Sequence, residues 1–206
     1  MTEKDFPLAY HLTLTFYGNH LHGHPNGSVD YAHNQFGSDP CPSKGGMLAA
    51  MTEKLSEPIY RMDSPRRGIT LEALKEVCDF RGWFLIAGHI RTTHCHVVVA
   101  AEEDPERVAK DFKSYGSRAL NRSGLDGPTR KKRWAKGLSR RYIRDIDSVV
   151  GAARYTIFGQ GLPMSVYPTS ESELDASIRG WLGIDAQPWD RQSQALWIPK
   201  DKFQRR

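Results

Sequence analysis

Cysteine is scarce in this sequence: Cys41, Cys78 and Cys95 are the only three in 206 residues. They are odd in number, widely spaced and contain no Cys-x-x-Cys pair, which argues against a disulfide framework and a zinc knuckle and leaves free thiols as the expectation. Long apolar runs are missing as well. No stretch reaches the roughly 18 to 20 apolar residues that a bilayer-spanning helix needs, and residues 1–7 lack the basic and apolar regions of a signal peptide. No membrane partner and a cytoplasmic location are therefore expected. Acid is missing from one segment in particular. From Lys113 to Arg144 the chain carries Lys113, Arg118, Arg122, Arg130, Lys131, Lys132, Arg133, Lys136, Arg140, Arg141 and Arg144 against the single acid Asp126. With a net charge of +5, this segment is the expected seat of a polyanionic partner, and a solvated basic face is the competing reading.

Hydrophobic content of 39% and charged content of 26% are those of an ordinary globular protein. The length suits one domain, expected over residues 1–168, with a tail over 169–206. Residues 8–17 alternate over Leu12, Leu14 and Phe16 and read as a strand with one buried face. A long, Gly- and Pro-rich connection follows, including the Asn26-Gly27 turn pair and one short helix near residues 47–55. Thr70 is placed to cap a first long helix with Leu71, Leu74, Val77 and Cys78 on one face, ended by Gly82. Residues 83–90 and 94–101 form an expected hairpin.

Asp104-Pro105 starts a second helix, with Val108, Phe112, Tyr115, Ala119 and Leu120 along its apolar face up to Gly124. A strand over residues 138–144 precedes a third helix, in which Ile146, Val149, Val150, Ala153 and Ile157 recur at helical spacing and Gly159 is the expected C-terminal cap. In the tail, Leu174, Ile178, Trp181 and Leu182 have the spacing of a short amphipathic helix. Trp189 and Trp197 are expected to cover the domain or a partner.

Residues two apart on a strand share a face at roughly 6.5 to 7 Å, so His94 and His96 present two imidazoles side by side while Cys95 and Val97 turn inward. Two such nitrogens can share one divalent ion, although a lone His-x-His is as readily structural. Tyr155 falls off the apolar stripe of the third helix and beside Gly151 and Ala152, which gives its hydroxyl an open approach. Tyr115, by contrast, falls on the apolar stripe of the second helix and reads as core. His20, His22 and His24 alternate too, but within a glycine-rich connection that reads as a solvated loop. Trp134 and Tyr142, interleaved with the basic residues, suit a groove that grips phosphates and stacks unpaired bases.

The run His94-Cys95-His96-Val97-Val98-Val99 resembles the His-hydrophobe-His strand of HUH endonucleases. Together with the segments YHLTLTFYG, PERVAKDFKSYGSRAL, SRRYIRD and AARYTIFGQG, in this order, the chain over about residues 10–168 resembles the REP-associated branch of the single-tyrosine, IS200-like transposases. The resemblance implies an α+β fold with a central, mainly antiparallel sheet and helices on one face, the ferredoxin-like core of that family. It implies Tyr155 as nucleophile, His94 and His96 as ligands of Mg²⁺ or Mn²⁺, and single-stranded or hairpin DNA as substrate. The implied product is a 5′-phosphotyrosine with a free 3′ hydroxyl.

Some relatives add a glutamine ligand one turn beyond the tyrosine. The nearest residue here, Gln160, stands five positions on rather than four. Some relatives exchange tyrosines within a homodimer and others act as monomers. A hairpin-binding protein without cleavage activity and a phosphoesterase that uses water are the alternative functions.

Overall fold

The computed structural model describes residues 6–19, 21, 45–128 and 130–183. His20, His22, His24, Cys41, Trp189 and Trp197 lie outside the described residues. Strand β1 (Ala9–Thr15) is followed by α1 (Gly45–Glu53), α2 (Ser64–Arg81), β2 (Phe84–Ile90), β3 (His94–Ala100) and α3 (Pro105–Ser123). Then come β4 (Ser139–Ile143), α4 (Ile146–Phe158), β5 (Ser165–Tyr167) and α5 (Glu171–Leu182). The five strands form one sheet in the order β4-β1-β3-β2-β5, with every neighbouring pair antiparallel. Without the edge strand β5, this is the β-α-β-β-α-β arrangement of a ferredoxin-like core, so the α+β expectation holds. Among the described residues no helix is long and apolar enough to cross a membrane.

The helices cover both faces, not the one face expected. On one side α2 and α3 pack Leu74, Val77, Val108 and Phe112 against Tyr10, Leu12, Leu14, Cys95, Val97 and Val99. On the other, α4 and α5 pack Val149, Ala153, Ile157, Leu174 and Ile178 against Ala9, Ile86, Ala87 and Val98. The sequence signal for a two-sided sheet is the unbroken Val97-Val98-Val99 run, buried throughout, where a one-sided strand would alternate. The same layer includes Leu182 of α5, so the amphipathic spacing of Leu174, Ile178 and Leu182 is used against the sheet.

Helix α2 begins at Ser64, not after Thr70, because Asp63 is its cap and accepts from the Arg66 backbone N–H at 3.0 Å. Pro65 lies in the first turn, where its missing N–H costs nothing, so a Ser-Pro-Arg-Arg-Gly stretch that reads as a turn is helical. Thr70 is a buried interior residue whose hydroxyl meets Met62 Sδ at 3.4 Å. Gly82 caps the helix in the left-handed conformation at φ 67°, as expected. Strand β5 is three residues long, too short for a periodicity to be read.

Candidate active site

The α4 side of the sheet carries a row of polar residues that register brings together. Thr13 on β1 is paired with His96 on β3, which is paired on its other side with His89 on β2. Two residues along, on the same face, His11 is paired with Val98 of β3 and Arg141 of β4. The imidazoles of His94 and His96 lie 4.9 Å apart between ring centroids, nearly perpendicular, and the His11 ring is 5.4 Å from His96. Above them stands Tyr155 of α4, its ring 6.2 Å from both His11 and His96 and 52% exposed. One chain therefore supplies the histidine pair and the tyrosine. Tyr115 is on the opposite side of the sheet, half-buried against Phe80 and beneath Arg118.

Hydroxyls hold the two predicted ligands. Thr13 Oγ1 is 3.0 Å from His96 Nδ1, and Thr93 Oγ1 is 2.9 Å from His94 Nδ1. Such outer bonds fix the orientation of an imidazole. Burial, reinforced by His94 and the other neighbouring histidines, pushes His96 down to about 3. Burial and the Arg141 guanidinium push His11 down to about 4. Both are neutral at pH 7, the form in which imidazole binds a metal.

Among the described residues no set of three His, Cys, Asp or Glu side chains converges on a metal position. The pair thus fits as two ligands of a shell that water and substrate oxygens would complete, as hydrated Mg²⁺ or Mn²⁺ allows. Gln160 lies past the end of α4, and its amide nitrogen is buried without a hydrogen-bond partner among the described residues.

Sequence reasoning missed His11 and His89. The period of two places His11 on the face opposite Leu12 and Leu14, whereas β2 is buried almost throughout and shifts register between Leu85 and Ala87, so no alternation marks His89; the approach of both to His96 requires the strand register. His89 is fully buried and its tautomer is fixed: Nε2 accepts from the Met164 N–H at 3.1 Å, so Nδ1 donates to the Thr156 carbonyl at 3.0 Å. That carbonyl belongs to the last turn of α4, where intrahelical partners run out, so His89 caps the helix beside Tyr155. His89→Ala is expected to lower the unfolding free energy in urea by about 2 kcal/mol, the cost of leaving the buried Thr156 carbonyl and the part-buried Met164 N–H without their partner.

Gly159 ends α4 as expected, but at φ −85°, which any residue can adopt. Glycine is needed there for space, because a Cβ would stand 2.6 Å from Tyr155 Cδ2 and 2.8 Å from the Tyr155 carbonyl oxygen. Gly159→Ala is expected to displace Tyr155 and slow any reaction at its hydroxyl about 10- to 100-fold, checked by single-turnover kinetics alongside DNA affinity, which should not change.

The structure divides the basic segment. Arg133 is 3% exposed and donates to Asp126 at 2.5 Å. Lys113 donates to the carbonyls of Ala135, Lys136 and Gly137, and burial pushes its pKa down. Trp134 packs on Phe16 and bonds Ser117 Oγ, while Arg130 donates to the Pro58 carbonyl and lies over Tyr60. These four are used within the fold. Arg118, Arg122, Lys131, Lys132, Lys136, Arg140, Arg141 and Tyr142 are exposed, with Arg122 and Arg140 paired to Glu76 and Glu106. Of these, Arg141 lies on the histidine side.

No protein-family profile matches the chain. No curated protein matches it. Among solved structures it is similar to a REP-associated tyrosine transposase bound to a REP hairpin, with 11% identity and a TM-score of 0.40 over 77% of this chain and 72% of that one.

Proposed function

We propose that this protein nicks and rejoins single-stranded DNA through a covalent bond to Tyr155. The observation that carries the reading is the half-exposed Tyr155 ring 6.2 Å from His96, above a pair of oriented histidines. His94 and His96 would hold Mg²⁺ or Mn²⁺, which when bound polarises the scissile phosphate. Tyr155 Oη attacks phosphorus as the bond to the 3′ oxygen breaks. The phenol gives up its proton, the leaving oxygen gains one, and the products are a 5′-phosphotyrosine and a free 3′ hydroxyl. Rejoining reverses these steps and needs no nucleotide, because the adduct keeps the phosphodiester energy. Arg141 and the exposed basic residues would neutralise the strand, and Tyr142, 48% exposed, would stack a base.

The test is incubation with hairpin DNA carrying single-stranded flanks, in Mn²⁺ or Mg²⁺, followed by denaturing electrophoresis. A shifted protein–DNA band is expected. DNA binding with no adduct in either metal overturns the reading. That outcome would favour the hairpin-binding alternative, against which the intact His94-x-His96 pair and Tyr155 argue. Cleavage without adduct would favour water as nucleophile.

A further inference from the structure

Across the sheet from Tyr155, the C-terminal half of α3 and the chain that follows enclose a cleft of about 680 Å³ lined by Ser117, Asn121, Gly124, Arg130, Lys131 and Arg133, among others. Among the described residues that line it there is no carboxylate. Arg130 Nη2 and Arg133 Nη2 are buried without a hydrogen-bond partner among the described residues. The nearby carboxylate of Asp126 accepts from Tyr60, Arg66 and Arg133 Nε, and neither Nη2 bonds to it. Glu57 faces Arg130 Nε at 3.3 Å and accepts the backbone N–H groups of Lys131 and Lys132. Counting Arg66, Arg130, Arg133 and Lys131 against Asp126, Glu57 and Asp63 leaves one positive charge in excess, before Lys132 is included.

Buried guanidinium N–H groups without acceptors are costly, and an oxyanion satisfies them with paired, charge-assisted bonds. The lining side chains opposite the arginines are small or neutral, and the volume leaves space for more than a bare oxyanion.

We propose that this cleft binds a phosphate group, and that in a DNA complex it holds one backbone phosphate with its attached nucleoside, remote from the tyrosine. The second half rests on the DNA-processing reading and the first does not. The test uses the full chain without metal and two probes, inorganic phosphate and a mixed-sequence single-stranded oligonucleotide. Asn121→Glu places a carboxylate on a wall that has none among the described residues. It should keep or raise the melting temperature and weaken phosphate binding at least 10-fold, while Asn121→Gln binds as wild type does. Lys131→Ala, at an exposed position, should also weaken phosphate binding.

For the oligonucleotide, the slope of log affinity against log salt should fall by about 0.7 in Asn121→Glu, the value for one lost phosphate contact on a single strand. Wild-type protein that fails to bind phosphate, or an Asn121→Glu variant that binds it equally, overturns the site. Phosphate binding lost with an unchanged oligonucleotide slope overturns the DNA half and leaves free phosphate as the ligand. Neither probe requires cleavage, so a missing tyrosine adduct would not mask either result.

Discussion

Replacing Tyr155 with phenylalanine is expected to abolish the covalent protein–DNA adduct, a loss on the order of 10⁴-fold or more, while DNA affinity and melting temperature stay at wild-type values. The separation of effects follows from where the residue sits. The ring is half exposed on α4, so deleting one oxygen removes no buried contact, and its edge-on approach to His11 and His96 is kept by phenylalanine. A nucleophile is lost and the scaffold is not. Tyr115→Phe is the control, because that ring lies on the α2–α3 side of the sheet, against Phe80 and Arg118. It should leave adduct formation unchanged. An adduct that survives Tyr155→Phe would move the nucleophile elsewhere and end the proposed mechanism. Since His96 and Tyr155 of one chain are neighbours, the adduct should also form at concentrations where the protein is monomeric.

The parts of the site that depend on local periodicity could be read from the sequence. His94 and His96 share a face because a strand repeats every two residues, and Tyr155 leaves the apolar stripe of its helix because a helix repeats every 3.6. What depends on pairing between distant segments could not be read. His11 and His89 reach His96 only through the β1–β3 and β2–β3 registers, and Thr13 orients His96 through the same pairing. Charge misled for a related reason. Eleven basic residues against one acid looked like a uniform polyanion-binding surface, but that single acid, Asp126, holds one of the eleven, Arg133, together with Arg66 and Tyr60 inside the fold. The helix start at Ser64 was hidden because Pro and Gly mark turns and also suit a first helical turn. The Gly159 position was legible, and its reason, close contact with Tyr155, was not.

Asp126→Asn is expected to cost about 3 to 5 kcal/mol of unfolding free energy, more than loss of the His89 cap, even though the substitution preserves shape. The Asp126 side chain is 4% exposed, and it bridges Arg133, 3% exposed, and Arg66, 20% exposed. With its charge removed, two guanidinium groups are left facing each other across a neutral amide, close to Arg130. Burial by itself would raise the Asp126 pKa, but hydrogen bonds from Arg66, Arg133 and Tyr60 outweigh it and hold the carboxyl below its ordinary value. A carboxyl depressed in the folded state binds fewer protons than in the unfolded chain. Its stabilisation is therefore complete above about pH 4, the ordinary aspartate range, and is lost as pH falls through the lower folded value. Urea unfolding at pH 7 and near pH 3 separates this contribution from that of the other carboxylates. The gap between wild type and Asp126→Asn should be wide at pH 7 and narrow in acid. A gap that stays constant with pH would mean that the variant acts through packing and that the Arg66–Asp126–Arg133 charges do not hold this side of the molecule together.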